Sequence, residues 1–302
     1  MNHDTSYDDL SIISDFRERY CFGKIGKRSG PPLLSSPTIQ SFRDIIYGYY
    51  RRFKRDFPWR HTDDPYHILV SEIMLQQTQV RRVCDKFPEF TSSFPTIEAL
   101  AASSLKDVLT VWRGMGYNRR ARYLRDLALQ VKERGSGKIP DSPEKLARLP
   151  GIGRTTAASI CAFAFNLPMV FVETNIRSVF IHFFFPSAGM VHDREIIPLV
   201  EATLDRKNPR SWYSALMDYG AMLKVRHPNP SRRSAHHQKQ PPFKGSRRQA
   251  RGLILGTLLV HKGISVKRLA AMIDVPEDVV VSVINELLKE ELVRKKGKIL
   301  YI

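Results

Sequence analysis

The sequence predicts an all-α fold with a small winged-helix-like module at its C-terminal end. From about Thr38 to Val225, apolar residues recur at helical spacing between short interruptions of Pro, Gly or Ser, and few stretches alternate as strands do. From Gly252 the helical spacing returns, and LVRKKGKILYI then places two short β-prone runs around a Lys-Lys-Gly turn. The order of helix, turn, helix and basic hairpin is typical of a winged helix.

Shifts in composition divide the chain into four segments. Residues 1–36 form a polar extension that ends in GKRSGPPLLSSP, and we expect it to have little core of its own. Residues 37–225 form the helical domain, and residues 252–302 form the winged-helix-like module. The basic segment 226–251 lies between them and carries eight Lys or Arg, three His and no acid. Such a run is either a solvated loop or a segment that contacts phosphates.

The charge balance indicates a polyanionic partner. The 302 residues include 48 Lys and Arg against 30 Asp and Glu, a formal net charge of +18, as expected of a protein that binds nucleic acid. No apolar run reaches the roughly 18–20 residues of a membrane span, and the first residues lack a basic region followed by an apolar stretch. We therefore expect a soluble cytoplasmic protein, associated with the nucleoid through DNA.

The cysteines argue against several common cofactors. Cys21, Cys84 and Cys161 are widely spaced and form no CxxC pair, so they provide neither a disulfide framework nor a cysteine-ligated zinc site or iron–sulfur cluster. The three histidines of the basic segment lack an obvious fourth zinc ligand. We expect no metal and no other cofactor.

The first candidate site lies in PYHILVSEIMLQQTQVRRV, residues 65–83, which we predict to form one helix. Glu72, Gln76 and Gln79 would then lie at positions i, i+4 and i+7 along one polar stripe. This stripe is either an ordinary solvated face or a partly buried wall of one carboxylate and two amides. The near-unbroken hydrophobic flanks of Glu72 strengthen the case for the wall.

The second candidate site is a predicted helical hairpin at residues 146–165. A short capped helix is followed by the tight turn PGIG and by a helix from Arg154 to Phe165. Gly151 and Gly153 allow the backbone to approach a phosphate closely, beside a helix N-terminus that favours an anion. The pattern fits a helix–hairpin–helix that grips a phosphodiester backbone, although a plain helical hairpin would look similar.

A third candidate is the isolated acid Glu173, which follows the apolar run MVFV. It precedes a predicted helix capped by Thr174 or Asn175. A carboxylate close to the positive end of a helix would be held ionised. Glu173 is therefore either a catalytic group or a capping acid without a catalytic role.

Five motifs in this order and spacing resemble the helix–hairpin–helix base-excision DNA glycosylases, and most closely the MutY-type adenine DNA glycosylases. The motifs are FPWR (57–60), DPYHILVSEIMLQQTQV (64–80), WRGMGYNRRARYL (112–124), LPGIGRTTAAS (149–159) and VETNIRSV (172–179). The resemblance covers about residues 38–225, and SEIMLQQTQV is its most specific part. It implies a two-lobed helical fold, double-stranded DNA with a mispaired or damaged base as the partner, and a monomer.

The resemblance also implies roles for individual residues. Glu72 would protonate N7 of a flipped adenine, and Glu173 would stay ionised and stabilise the oxocarbenium-like sugar, a division of labour common in glycoside cleavage. The residues expected to line the base pocket or probe the opened stack are Gln76, Gln77, Tyr117, Asn118, Thr155 and Asn175. Those expected to contact the DNA backbone are Gly151, Gly153, Arg154, Arg119, Arg232, Arg233, Lys244, Arg247 and Arg248.

Four features of the chain refine its resemblance to these glycosylases or depart from it. Relatives with lyase activity have a Lys where this chain has Thr155, so we predict a monofunctional glycosylase that leaves the abasic site uncut. The second acid is usually Asp, whereas here it is Glu173. Most relatives follow the segment MDYGAM (217–222) with four cluster-binding cysteines, which this chain lacks. About fifty residues also stand where relatives carry a larger domain that recognises 8-oxoguanine.

Three functions stay open on this reasoning. The leading prediction is a cluster-free glycosylase that removes adenine mispaired with guanine or 8-oxoguanine. The changed second acid and the short C-terminal module leave room for a glycosylase of thymine or uracil mispaired with guanine. A non-catalytic DNA-binding protein is the third, in which the basic segment and the winged helix would carry the function.

Overall fold

A computed structural model of the chain describes residues 9–20, 34–135, 137–261 and 263–302. Within these ranges it contains fifteen α-helices and three short strands, so the all-α prediction is confirmed. The helices are α1 Asp9–Tyr20, α2 Ser36–Phe53, α3 Pro65–Leu75, α4 Val80–Ser93, α5 Ile97–Ala102, α6 Leu105–Val111, α7 Arg119–Gly135, α8 Pro143–Leu146, α9 Arg154–Phe165, α10 Thr174–Phe184, α11 Asp193–Thr203, α12 Pro209–Arg226, α13 Arg247–Val260, α14 Val266–Ile273 and α15 Glu277–Lys289. The strands are β1 Ile264–Ser265, β2 Arg294–Lys296 and β3 Ile299–Tyr301.

The described residues divide into two compact units. The first unit combines residues up to Asp56 with Cys161–Gln238, and the second combines Phe57–Ile160 with Lys239–Ile302. The four segments drawn from the sequence stay a prediction. No described helix combines the length and the hydropathy needed to cross a membrane.

The first unit has an aromatic core around α2, α10 and α12. The ring of Phe42 lies 5.0 Å from that of Phe183 and 5.8 Å from that of Trp212, and all three side chains are buried. Such edge-to-face aromatic contacts add stability beyond the buried area alone. The N-terminal extension was expected to have little core of its own. Its helix α1 nevertheless buries Phe16 against Phe42 and Phe183. Residues 1–8 and 21–33 of that extension lie outside the described residues.

The second unit buries α3 among α4 and α7. Leu69 and Ile73 on α3 and Phe90 on α4 are all buried, and the Tyr66 hydroxyl donates to the carbonyl oxygen of Phe94 at 2.7 Å. The predicted single helix over residues 65–83 is wrong. α3 ends at Leu75, and α4 begins at Val80 after a turn.

The C-terminal module belongs to the second unit and has the predicted winged-helix arrangement. α13, α14 and α15 are followed by the β2–β3 hairpin, and β1 pairs antiparallel with β3 to give the strand order β1-β3-β2. The hairpin turns at Gly297, whose φ is 59°. Arg122 on α7 contacts Glu291 and donates to the carbonyl oxygen of Glu290 at 2.5 Å, which joins the module to the rest of the unit.

Candidate catalytic and DNA-contact residues

Glu72 lies on the last turns of α3, where its carboxyl group meets the hydroxyl of Ser159 from α9. The two oxygens, Glu72 Oε2 and Ser159 Oγ, are 2.5 Å apart. Ser159 is 4% exposed, and its Oγ is also 3.0 Å from the carbonyl oxygen of Thr156. Glu72 is half-buried. The structure therefore places this acid in a partly buried wall rather than on a solvated face.

The end of α3 contacts the helical hairpin through Gln76. Its Nε2 lies 3.3 Å from Thr156 Oγ1 and 3.4 Å from the carbonyl oxygen of Gly151. Two of the residues singled out in the sequence, Gln76 and Gly151, are thus brought together. The predicted third member of the polar stripe, Gln79, is instead the exposed residue that precedes α4.

Arg120 binds the C-terminal end of α3 and the turn that follows it. Its Nη1 donates to the carbonyl oxygens of Ile73 (2.7 Å), Met74 (2.9 Å) and Gln76 (2.6 Å) at the end of that helix. Its Nη2 donates to Thr78 Oγ1 at 2.8 Å. Carbonyl groups at a helix C-terminus lack the usual donor four residues on, and the guanidinium adds donors there, beside the backbone N–H of Gln76 that also reaches the carbonyl oxygen of Ile73.

The same guanidinium also holds the loop before α7. It lies 5.2 Å from the ring centroid of Trp112 and 5.6 Å from that of Tyr117. Arg120 is 8% exposed, and burial lowers its pKa to about 10. It therefore keeps its charge at neutral pH. The sequence reasoning missed Arg120 because it reads as one of several cations on a basic helix.

The helical hairpin forms as predicted, with α8 capped by Ser142 and α9 beginning at Arg154. Gly151 has a φ of 77°, and a Cβ there would lie 2.9 Å from that of Tyr123. Glycine is therefore required at that position both by the backbone and by the close contact. A Cβ on Gly153 would meet no described atom within 4 Å. Gly153, Arg154 and Thr155 are all exposed at the start of α9.

Glu173 lies in the first unit and is itself the N-cap of α10, where Thr174 or Asn175 was expected. Its Oε1 accepts from the backbone N–H groups of Asn175 (2.6 Å) and Ile176 (2.9 Å). Its Oε2 lies 3.3 Å from Asn175 Nδ2. Glu173 therefore caps α10, and the backbone donors hold its carboxylate in one orientation.

Lys224 on α12 is a second cation that the sequence reasoning missed. Its Nζ donates to Asn175 Oδ1 at 2.7 Å. Burial lowers the pKa of Lys224, and the charge of Glu173 acts in the opposite direction. Close approach of α12 to this point requires Gly220, because a Cβ there would lie 2.3 Å from the carbonyl oxygen of Asn175.

The predicted backbone-contact residues have different surroundings. Arg119, Arg232, Lys244 and Arg247 are exposed, and Asn118 is half-buried just before α7. Arg233 donates instead to four carbonyl oxygens, those of Ile181, Phe185, Pro186 and Ala188, at 2.7–3.3 Å. Arg247 and Arg248 are on α13, since this helix begins before Gly252. Arg247 contacts Ser282 and Glu286 on α15.

The cysteines of this chain do not match the ligand set of the iron–sulfur cluster that the resemblance led us to consider. A [4Fe–4S] cluster takes four cysteine ligands, and the sequence contains three cysteines. Cys161 is buried in the first unit, Cys84 lies in the second, and Cys21 is outside the described residues. Among the described side chains, no three His, Cys, Asp or Glu are grouped so as to hold a metal ion.

A helical hairpin beside a half-buried acid is the arrangement that the resemblance to the helix–hairpin–helix glycosylases implies. Residues 70–196 match the family described as HhH-GPD superfamily base excision DNA repair protein. The resemblance read from the five motifs is thereby confirmed.

Three similar proteins illustrate the relationship. An adenine DNA glycosylase of Buchnera aphidicola is 33% identical over 190 residues, 62% of this chain and 53% of that protein. An adenine DNA glycosylase of Mycobacterium tuberculosis is 38% identical over 154 residues, 49% of this chain and 51% of that protein. The solved structure of a thermostable thymine-DNA glycosylase has 28% identity and a TM-score of 0.56, covering 61% of this chain and 86% of that one. The chain spans about half the length of the curated relatives it matches.

Proposed function

We propose that this protein is a DNA glycosylase that hydrolyses the N-glycosidic bond of adenine mispaired with guanine or 8-oxoguanine. The observation that carries the proposal is the contact between Glu72 and Ser159. It holds a half-buried carboxyl group in a fixed orientation beside the helical hairpin, within a segment that matches a base-excision DNA repair superfamily. A fixed acid of this kind can protonate a base that has been turned out of the duplex.

The hydroxyl of Ser159 can serve both protonation states of Glu72. When the carboxyl group is protonated, its O–H donates to Ser159 Oγ, and the serine donates to the carbonyl oxygen of Thr156 3.0 Å away. After Glu72 has given its proton to N7 of adenine, rotation of the serine hydroxyl lets it donate to the new carboxylate. The acid is thus stabilised before and after proton transfer without movement of its backbone.

Glu173 is proposed to stabilise the positive charge that develops on the sugar. Its carboxyl group is held in one orientation by two backbone N–H groups at the start of α10. The usual Asp is one methylene shorter, and a displacement of about 1 Å can change a rate by ~10²-fold. The reaction is a hydrolysis completed by water, and we propose that it needs no cofactor.

Thr155 supports cleavage of the glycosidic bond alone. A hydroxyl cannot form the imine through which a lysine at this place would cut the strand. Incubation with a lesion duplex and borohydride should therefore yield free base and no trapped protein–DNA adduct. Efficient trapping would contradict this part of the proposal.

DNA contact by the basic segment 226–251 is proposed from its charge and from an exposed aromatic side chain. Phe243 is 61% exposed and is followed by the exposed Lys244. Cations beside an exposed aromatic ring are typical of surfaces that bind nucleic acid. Neutralising Lys239 and Lys244 should reduce the slope of log affinity against log salt by about 2. An unchanged slope would place the DNA elsewhere.

A second candidate function is removal of thymine or uracil mispaired with guanine. It is favoured by the likeness to the thymine-DNA glycosylase structure and by the presence of Glu rather than Asp at position 173. A panel of A:8-oxoG, A:G, T:G and U:G duplexes, incubated with the protein and then treated with alkali, separates the candidates. Breaks at adenine support the proposal, breaks at thymine or uracil support the second candidate, and tight binding without breaks indicates a non-catalytic protein.

A further inference from the structure

Gln240 and Arg248, from the part of the basic segment that lies in the second unit, contact two loop tips of that unit. Gln77 and Tyr117 have φ values of 54° and 45°, left-handed conformations that residues other than glycine adopt rarely. Arg248 Nη1 lies 3.3 Å from the Tyr117 hydroxyl, and Gln240 Nε2 lies 3.5 Å from Gln77 Oε1. Arg248 and Gln240 also contact each other, at 3.2 Å. Four polar side chains from separate parts of the sequence therefore meet in one cluster.

We propose that Arg248, oriented by Gln240, reads the base opposite the one that is excised. The inference rests on the proposed function and adds a specificity-determining residue to it. Gln77 is the second residue after α3, the helix that carries Glu72. If the extruded base moves towards Glu72, the loop tips beyond this helix are left beside the gap in the duplex. Side chains bonded to those tips then face the base that has lost its partner.

The chemistry of the cluster favours a guanine at that position. A guanidinium donates two parallel hydrogen bonds to the O6 and N7 acceptors of guanine, whereas cytosine offers an amino donor that would oppose it. Arg248 is half-buried, and its Nη2 donates to the carbonyl oxygen of Pro241 at 2.6 Å. This bond restricts the guanidinium before DNA binds, so less conformational freedom is lost on recognition.

The neighbouring arginine has a different setting. Arg247 contacts Ser282 and Glu286 on α15, within the C-terminal module. Among the described interactions, Arg248 contacts the loop tips and Arg247 does not. The proposal therefore assigns opposite-base recognition to Arg248 and not to the basic character of the segment as a whole.

The test compares single-turnover rates of adenine release from A:G and A:C duplexes. Wild-type protein should prefer A:G, and Arg248→Ala should reduce the A:G to A:C rate ratio by roughly tenfold. Arg248→Lys should lose the ratio as well, because an ammonium group lacks the planar fork, while the salt dependence of DNA binding stays as in wild type. Arg268→Ala removes an exposed arginine of α14 and should leave the ratio unchanged.

The outcomes separate this inference from the function on which it rests. Equal rates of wild-type protein on A:G and A:C, or an unchanged ratio in Arg248→Ala, would overturn the inference while leaving adenine excision in place. A uniform loss of rate on both duplexes would do the same, since it would make Arg248 a general DNA contact. Wild-type protein that releases no adenine from either duplex would overturn the proposed function and this inference together.

Discussion

Ser159 stands 87 positions after Glu72 in the chain, yet its hydroxyl lies 2.5 Å from the carboxyl group of that acid. The two residues come from α9 and α3, and the short distance fixes one carboxyl oxygen relative to the helical hairpin. The proposed chemistry depends on this contact, because a general acid must be oriented as well as protonated.

Replacement of Ser159 by Ala should slow base release more than it affects stability. Loss of a hydrogen bond to a group that is charged in one state removes about 1.5 kcal/mol, which corresponds to a roughly tenfold lower single-turnover rate. Ser71→Ala is the matched control, since this buried serine on α3 donates to the carbonyl oxygen of Ile68 and not to Glu72. Equal rates for Ser159→Ala and Ser71→Ala would remove Ser159 from the mechanism.

Replacement of Arg120 by Met should destabilise the protein by about 3 kcal/mol, because several carbonyl groups at the end of α3 would lose their donor. Urea denaturation measures the change. Arg119→Met, at the exposed neighbouring position, should shift the free energy of unfolding by no more than about 0.5 kcal/mol. Similar effects of both substitutions would mean that Arg120 does not hold the turn after α3.

Gly220→Ala, on α12, should push against the start of α10 and lower the stability of the protein. The added Cβ would overlap the backbone of Asn175, and overpacking of this kind typically lowers the free energy of unfolding by about 1–3 kcal/mol. Gly252→Ala on α13 is the control, since a Cβ there meets no described atom within 4 Å. A thermal melt of each variant makes the comparison, and a Gly220→Ala protein as stable as wild type would refute the close approach.

The buried His182 should lower the free energy of unfolding of the first unit in mild acid. Burial lowers its pKa to about 3, and the positive charges of Arg17, His227 and Arg233 act in the same direction. The unfolded chain, with an ordinary value of about 6.5, binds a proton that the folded state excludes. The free energy of unfolding should therefore be level above pH 6.5 and fall as the pH decreases from 6.5 towards 3, by up to about 1 kcal/mol per pH unit.

Urea denaturation at pH 7, 6 and 5 measures this slope. His182→Gln should flatten it, whereas His237→Gln, at an exposed position, should not. An equal slope in wild type and His182→Gln would assign the acid sensitivity to other groups.

Local patterns predicted the hairpin well. The capped short helix, the glycine turn and the start of α9 at Arg154 all follow from neighbouring residues, and the structure has them, with Ser142 as the cap. The winged-helix module was predictable for the same reason, since Gly297 marks the turn between two short β-prone runs.

The end of α3 and the surroundings of the acids were not predictable from local patterns. Residues 65–83 have continuous helical spacing, yet α3 ends at Leu75, where Arg120, far along the chain, binds the last carbonyl groups. Ser159 and Lys224 are ordinary residues in sequence and gain their importance only from long-range packing. Motifs thus indicated which acids matter, while the partners of those acids required the fold.

The release of free adenine from an A:G duplex by wild-type protein and by Glu72→Gln tests the central claim most directly. A glutamine keeps the shape of the side chain but has no acidic proton to give, so the single-turnover rate should fall by at least about 10²-fold while the duplex is still bound. Release of adenine at the same rate by both proteins would show that Glu72 is not the proton donor.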